Sequence, residues 1–491
     1  MIRSYESTLG RLLVKKRGYD GISTGMIKND SRQVLPGDVF VAISGAVADG
    51  HDFIRQALAS GATTIVHTKD LDCYSDRVTY LQVTDSTRAY SRLLRAHFGK
   101  PDLEVPLFGV TGTNGKTTSA FIIAHLFQNA QIPCGLFSTV EYRDGKTVTR
   151  ATHTTPDAGQ FFPRLRTMRR NGMKAAVMEV SSHALAQGRI AGAKFHTAVF
   201  TNLTGDHLDY HGSMEEYYQA KRRLFSELFS PDGTAVVNVD DPFGKRLAEE
   251  LGSREMRTFG HSPAAEWVIS DVELAADKTR FVISSETTKF SVETNLIGEH
   301  NVYNLTGAIL AVRNYGLTWE QIAYALSQPI TVPGRLQKFT SADGADFYVD
   351  YAHSDDALRN VLNILRKISR NKLTVVFGAG GDRDRTKRPR MGKVAAELAD
   401  HVILTSDNPR TEDPMQIIQE IAAGIPEGKA LLIEPDRRKA IAAAVAQAAP
   451  GDTILIAGKG HENYQIIGTE RTHLDDREVI ADLLKKQTSV L

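Results

Sequence analysis

Short apolar runs, each broken by glycine or charge, recur along this chain. Asp38–Ile43, Thr63–His67 and Thr79–Val83 read as strands, with helical patterns at Phe53–Ala59 and Tyr90–His97 between them. Pro106–Val110, Lys174–Val180 and Phe195–Thr201 read as buried strands of a second region. After Pro333-Gly334-Arg335 the pattern comes four times, at Phe347–Asp350, Leu373–Phe377, His401–Thr405 and Thr453–Ile456. Each of these ends in a charged or glycine-rich loop, with helical stretches between. Strands alternating with helices predict an α/β chain with parallel sheets, the last doubly wound. The boundaries predicted are 1–100, 101–332 and 333–491, with Gly99-Lys100-Pro101-Asp102 as a linker.

Composition narrows the classes. A length of 491 residues suits about three domains. A net charge of +1 supplies no basic field, so nucleic acid is not expected as a partner. Cys73 and Cys134 have no metal or redox spacing and read as free thiols of a reducing cytoplasm. No signal-like start or 18-residue apolar run is present, so no membrane span is expected.

The chemistry begins at Val105–Ser119, VPLFGVTGTNGKTTS. A strand breaks into a glycine loop, then Lys-Thr-Thr, then a helix. That order cradles phosphate: loop N–H groups and a helix N-terminus face the anion, Lys116 reaches the outer phosphates and Thr117 can hold Mg²⁺. The strict spacing G-x-x-x-x-G-K-[ST] would place glycine at 110, where Val110 stands. Two neighbouring strands end in Glu179-Val180-Ser181-Ser182-His183 and Asn202-Leu203-Thr204-Gly205-Asp206-His207. In an open parallel sheet, ligands gather at those carboxyl ends, so Glu179 and His207 are candidate Mg²⁺ partners. A following helix places Met214, Tyr217, Tyr218, Leu224, Phe225 and Leu228 on one apolar stripe, with Lys221 on it. A buried, unpaired ammonium is costly. Lys221 therefore snorkels, pairs with phosphate, or is neutral or modified.

Together, TGTNGKTT at 111–118, EVSSHAL at 179–185, TNLTGDHLDYHG at 201–212, AK at 220–221, GEHNVYN at 298–304, PGR at 333–335 and DNPR at 407–410 resemble the Mur ligases of peptidoglycan synthesis. The resemblance covers essentially the whole chain. It implies a small uridine-nucleotide domain, a central P-loop ATPase domain and a C-terminal Rossmann-like domain that brings an amino acid. It implies an ATP- and Mg²⁺-dependent amide ligase acting on UDP-N-acetylmuramoyl-L-Ala-D-Glu through an acyl phosphate, as a cytoplasmic monomer. Gly112, Thr113, Asn114, Gly115, Lys116, Thr117, Thr118, Asn301, Asn304, Arg335 and Asp350 would hold ATP. Thr117, Glu179, His207 and Lys221 would serve the metal, Lys221 as a carbamate; Lys116, His207 and Lys221 would carry catalysis. Ser31 and the 45–49 loop would meet the uridine end of the nucleotide, and Thr154, Thr155, Ser181, Gln187 and Arg189 the end nearer the chemistry. Arg383, Asp407, Asn408, Pro409, Arg410, Gly458 and Glu462 would bind the amino acid.

Arg410 bears on which amino acid that is. meso-Diaminopimelate is lysine with a distal carboxylate, which a guanidinium grips with two bonds. Lysine would leave Arg410 unpaired beside a like charge. The resemblance and Arg410 together predict diaminopimelate; L-lysine is the alternative, and a P-loop switch without an acceptor is the reading from another class. His153 and Ser354-Asp355 depart from the family pattern, which carries Asn and Thr-Pro at those places.

Overall fold

The buried strands form mostly where apolar residues run together, as in Leu107–Thr111, Leu373–Phe377 and Thr453–Ala457, and glycine or charge follows their carboxyl ends. In the computed structural model, which describes residues 4–45, 48–275 and 277–488, they assemble into three main sheets. Ala46 and Val47, in the loop expected to meet the uridine nucleotide, lie outside the described residues.

The chain packs as two units, one of Met1–Val272, Phe281–Val292 and His300–Gln328, the other of Glu273–Arg280, Glu293–Glu299 and Pro329–Leu491. The first unit holds a five-stranded sheet in the order Leu13–Gly18, Thr79–Val83, Thr64–His67, Val39–Val41, Ile27–Lys28, parallel except for its first strand. It also holds the parallel heart of an eleven-stranded sheet: Met256–Gly260, Phe229–Asn238, Phe195–Phe200, Leu107–Thr111, Ala175–Glu179, Cys134–Phe137. Leu107–Thr111 is central and buried throughout, and the helix after it, Lys116–Asn129, is buried on nearly every face. Such a helix reads as apolar all round rather than amphipathic.

The second unit carries a doubly wound sheet in the order Gln337–Thr340, Asp346–Asp350, Thr453–Ala457, Leu373–Phe377, His401–Leu404, Ala430–Ile433. All but the first strand run parallel, so the polar loops share one edge. The expectation of an α/β chain with mostly parallel sheets, the last doubly wound, holds.

Two expectations are corrected. Gly99-Lys100-Pro101-Asp102 is not a free linker. Lys100 turns the chain at φ 54°, a short 3₁₀ turn spans Pro101–Leu103, and the Asp102 carboxylate is fully buried. It accepts from Arg95 Nε and Nη2 (2.8–2.9 Å) and from Lys194 N (3.0 Å), a tertiary pairing that local composition cannot reveal. The third sheet also has more strands than the four apolar runs suggest: Ala430–Ile433 is a largely exposed edge, and Gln337–Thr340 has a single apolar residue, Phe339. A separate hairpin, Tyr464–Ile467 with Glu470–His473, follows the last predicted strand.

Candidate active site

The phosphate loop occupies the centre of the parallel sheet's carboxyl edge. Val110 belongs to the strand, paired with Glu179 on one side and Val199 on the other, so the loop starts only after Thr111 and needs no glycine at 110. Its floor is the next strand end: Asn202 O accepts from Thr113 N (2.9 Å), Asn202 Oδ1 from Asn114 N (2.9 Å), and Thr201 Oγ1 donates to Asn114 O (2.7 Å). Gly112 and Gly115 adopt φ 152° and 85°. A methyl on Gly115 would strike Asn304 Oδ1, and one on Gly112 would strike Thr201 Oγ1. Asn304 thus sits against the loop; its Oδ1 accepts from Ser119 Oγ (3.3 Å) and its Nδ2 donates to Asn301 Oδ1 (3.0 Å), both asparagines being buried. Thr118 is buried in the first turn of the helix.

Two amines converge on this loop. Lys116 Nζ folds back to Gly112 O (2.9 Å) and Thr113 O (2.7 Å). Lys221 Nζ reaches the same Gly112 O at 2.6 Å, with Tyr217's ring 4.5 Å away and only 1 % of the residue exposed. Burial, reinforced by the charge of Lys116, holds the Lys221 amine far below the ordinary lysine range. A neutral amine is nucleophilic, whereas an ammonium is not. The other side of the loop is acidic: Thr117 Oγ1 donates to Glu179 Oε2 (2.8 Å), and Thr139 N and Oγ1 donate to the same carboxylate (2.7 and 3.0 Å). His207 sits on the adjacent strand-end turn at φ 54°, its ring 4.8 Å from His183 and 6.2 Å from Tyr217. Burial lowers His207, and burial together with His207 and His211 brings His183 down to about 4.

From Glu179 a chain of polar side chains leads outwards. Thr155 Oγ1 donates to Glu179 O (2.7 Å) and accepts from Ser181 N (2.9 Å). Thr139 Oγ1, its proton given to Glu179, accepts from Thr154 Oγ1 (3.1 Å). Arg189 reaches Gln187 Oε1 (2.8 Å) and Thr155 O (3.4 Å). Thr154, Thr155, Ser181, Gln187 and Arg189 are therefore one group. Ser31 lies in the small sheet's region, where it donates to Gln56 Oε1 (2.8 Å).

In the second unit, Asp350 accepts from Leu336 N and Ala352 N (both 2.8 Å), and Arg335 lies over Tyr351 at 4.6 Å. Burial raises Asp350, which Arg335 partly offsets. Further along the same edge, Asn408 Nδ2 donates to Glu462 Oε2 (3.0 Å). A methyl on Gly458 would meet Asp407 Oδ2 at 2.7 Å, and one on Gly381 would strike Pro409 O. Arg410, at φ 52°, donates from Nη1 to Gly381 O (2.6 Å), and Arg383 from Nη1 to Asp382 O (2.9 Å). Burial pushes the Asp407 carboxyl up, but Lys459 and Arg437 more than offset this and hold it below the usual range.

Sequence reasoning missed Thr139, Tyr217, Lys459 and the hairpin residues Gln465 and Ile466. Gln465 Nε2 donates to Asp407 O (2.8 Å) and Ile466 N to Asn408 Oδ1 (3.0 Å). The signal for the hairpin was present: Ile467-Gly468-Thr469-Glu470 is a two-residue glycine turn between β-prone runs. Among the described residues no three His, Cys, Asp or Glu side chains form a metal cage. The Thr117–Glu179 pair nevertheless offers the hard oxygens that suit Mg²⁺, an ion that keeps water and substrate phosphate as its remaining ligands. Among the described residues no helix is long and apolar enough to cross a membrane.

Three family matches cover this architecture. Residues 24–97 match the family described as "Mur ligase family, catalytic domain", 110–312 the "Mur ligase middle domain" and 334–460 the "Mur ligase, glutamate ligase domain". The chain belongs to the Mur ligase family, and it is an ATP-dependent ligase that forms an amide bond. A relative from Gloeobacter violaceus, named UDP-N-acetylmuramoyl-L-alanyl-D-glutamate–2,6-diaminopimelate ligase, is 43% identical over 482 residues, 98% of each chain. A relative of the same name from Parasynechococcus marenigrum is 44% identical over 474 residues, 94% of each chain. A solved structure of a ligase with that name shares 33% identity over 99% of this chain and 100% of its own, with a TM-score of 0.72. The MurF ligase of Thermotoga maritima, solved with ADP, shares the fold at 21% identity and TM-score 0.61, over 95% of this chain and 99% of its own.

Proposed function

We propose that the chain joins meso-diaminopimelate to the D-Glu γ-carboxylate of UDP-N-acetylmuramoyl-L-Ala-D-Glu, converting ATP to ADP and phosphate, in the cytoplasmic synthesis of peptidoglycan precursors. The observation that supports this most is Arg410 on the polar edge of the C-terminal sheet, in a chain whose near-full-length relatives bear that name. Residues 1–100 would take the uridine end, 101–332 ATP and the reacting carboxylate, and 333–491 the amino acid.

The γ-carboxylate oxygen attacks the γ-phosphorus, the bond to the β-phosphate oxygen breaks, and ADP leaves. The amine of diaminopimelate then attacks the acyl carbon, loses a proton, and expels phosphate. Such transfers depend on positioning and charge neutralisation. Gly112–Gly115 and Lys116 cradle the phosphates, and the Thr154, Thr155, Ser181, Gln187 and Arg189 group orients the carboxylate beside them. When bound, Mg²⁺ neutralises phosphate charge; Thr117 and Glu179 would hold it, with His207 and Lys221 near. Lys221 fits that role as a carbamate, because burial favours the uncharged form of its amine, the form that takes up CO₂ with loss of a proton, and the resulting anion suits a metal where an ammonium does not.

The test uses nucleotide dipeptide labelled with ¹⁸O in the γ-carboxylate. The reading requires one ¹⁸O in each released phosphate. Unlabelled phosphate alone would mean ATP hydrolysis without an acyl phosphate, and would sink it.

A further inference from the structure

The C-terminal edge contains a lysine that neither the family motifs nor the proposed contacts assign. Lys459 lies between Gly458 and Glu462, and its side chain is 0% exposed. Its Nζ stands 3.3 Å from Asn408 Oδ1 and 3.4 Å from Glu462 Oε2, with the Tyr464 ring at 5.3 Å. Asp407, buried beside it, is among the acids it stabilises. A buried ammonium is tolerated only where anions and acceptors surround it, and here both carboxylates and the amide belong to the amino-acid end of the site.

The arrangement also sets the direction of an amide. Asn408 Oδ1 accepts from two donors, Lys459 Nζ and Ile466 N, so its Nδ2 must point to Glu462 Oε2, which it reaches at 3.0 Å. With Lys459 removed, Asp407 and Glu462 lose the cation between them, and Asn408 loses one of the two donors that define its orientation. The edge becomes more acidic, a change that favours an amino acid of net charge +1, such as lysine, over net-neutral diaminopimelate.

We infer that Lys459 is a positioning residue for the incoming amino acid: it fixes Asn408 and Glu462 and balances the charges of Asp407 and Glu462, so that the edge receives a substrate carrying equal numbers of carboxylates and ammoniums. The inference rests on the proposed diaminopimelate reading. Lys459 itself need not touch substrate.

The experiment measures steady-state constants for all three substrates in the wild type, Lys459→Met and Lys459→Arg. Methionine keeps the volume and removes the charge; arginine keeps the charge. For Lys459→Met, loss of one buried charged bond predicts a KM for diaminopimelate raised roughly tenfold or more. The KM values for ATP and for the nucleotide dipeptide should stay within about twofold. The kcat/KM preference for diaminopimelate over lysine should narrow, and Lys459→Arg should recover part of both effects. Equal changes in all three KM values, or none in that for diaminopimelate, would overturn the inference. If Lys459→Met fails to fold, Lys459→Gln, which keeps a hydrogen-bond donor towards Asn408 without the charge, carries the same test. A purely structural lysine predicts a lowered melting temperature with the amino-acid KM of the folded protein unchanged; a positioning lysine predicts that KM raised even in a variant whose melting temperature is kept. A wild type that turns over no diaminopimelate contradicts the underlying reading instead, and the two failures are distinct.

Discussion

Replacing Arg410 by alanine tests the basis of amino-acid choice. The residue is held at φ 52° by its backbone: Arg410 N donates to Ile466 O (3.1 Å) and Gly468 N to Arg410 O (2.6 Å), so the hairpin fixes where the side chain starts. Nη1 is tied to Gly381 O at 2.6 Å, which fixes the plane of the guanidinium. An arginine so held has N–H donors remaining for a carboxylate. Each charge-assisted bond is worth about 1.5–3 kcal/mol, so a two-bond grip supplies about 3–6 kcal/mol. At about 1.4 kcal/mol per tenfold, Arg410→Ala should lower kcat/KM for diaminopimelate by roughly 10²- to 10⁴-fold. Lysine never gains those bonds and is repelled by the guanidinium, so its kcat/KM should stay level or rise. The assay is ADP release by the variant with each amino acid at saturating ATP and nucleotide dipeptide. If the preference for diaminopimelate over lysine survives intact, Arg410 does not read the distal carboxylate.

Further outcomes follow from other contacts. Gly115→Ala puts a methyl into Asn304 Oδ1 at φ 85°, so ATP affinity should fall roughly tenfold or more by calorimetry, strain alone accounting for about 1–2 kcal/mol. Unchanged affinity would remove this loop from the ATP site. Lys221→Ala should lose activity and regain part of it with added short carboxylic acids; full activity without them excludes a carbamate role. Arg388 brings Glu412 down from 4.5 to about 2, so its folded value lies below its unfolded one. The stability it contributes is complete above about pH 4.5 and fades as pH falls towards 2. Glu412→Gln should therefore weaken the protein at pH 7 and flatten its loss of stability across that acid window, as read by urea melts at several pH values.

The legible parts were those written into local sequence. The strand–glycine loop–lysine–helix order is found as read, from Leu107–Thr111 to the helix at Lys116, and the apolar stripe bearing Lys221 announced a buried amine before its partner, Gly112 O, could be known. The apparent defect at Val110 dissolved because the strand runs one residue beyond it, and strand length is a tertiary outcome. What stayed hidden was pairing over distance. Thr139 lies 40 residues from Glu179, and Asn408 lies 51 residues from Lys459. Asp102 looked like linker because Arg95 and the Lys194 amide, which hold it, are brought to it only by folding. The hairpin was missed although its turn chemistry was visible, since nothing local said that it would close over Asp407 and Asn408.

The most direct measurement is a panel of amino acids offered with ATP and UDP-N-acetylmuramoyl-L-Ala-D-Glu, scored by ADP release and by product mass. The expected result is ADP release coupled to one product, the nucleotide tripeptide carrying diaminopimelate, with lysine far behind. ATP turnover indifferent to both acceptors, or a product carrying lysine in preference, would contradict it.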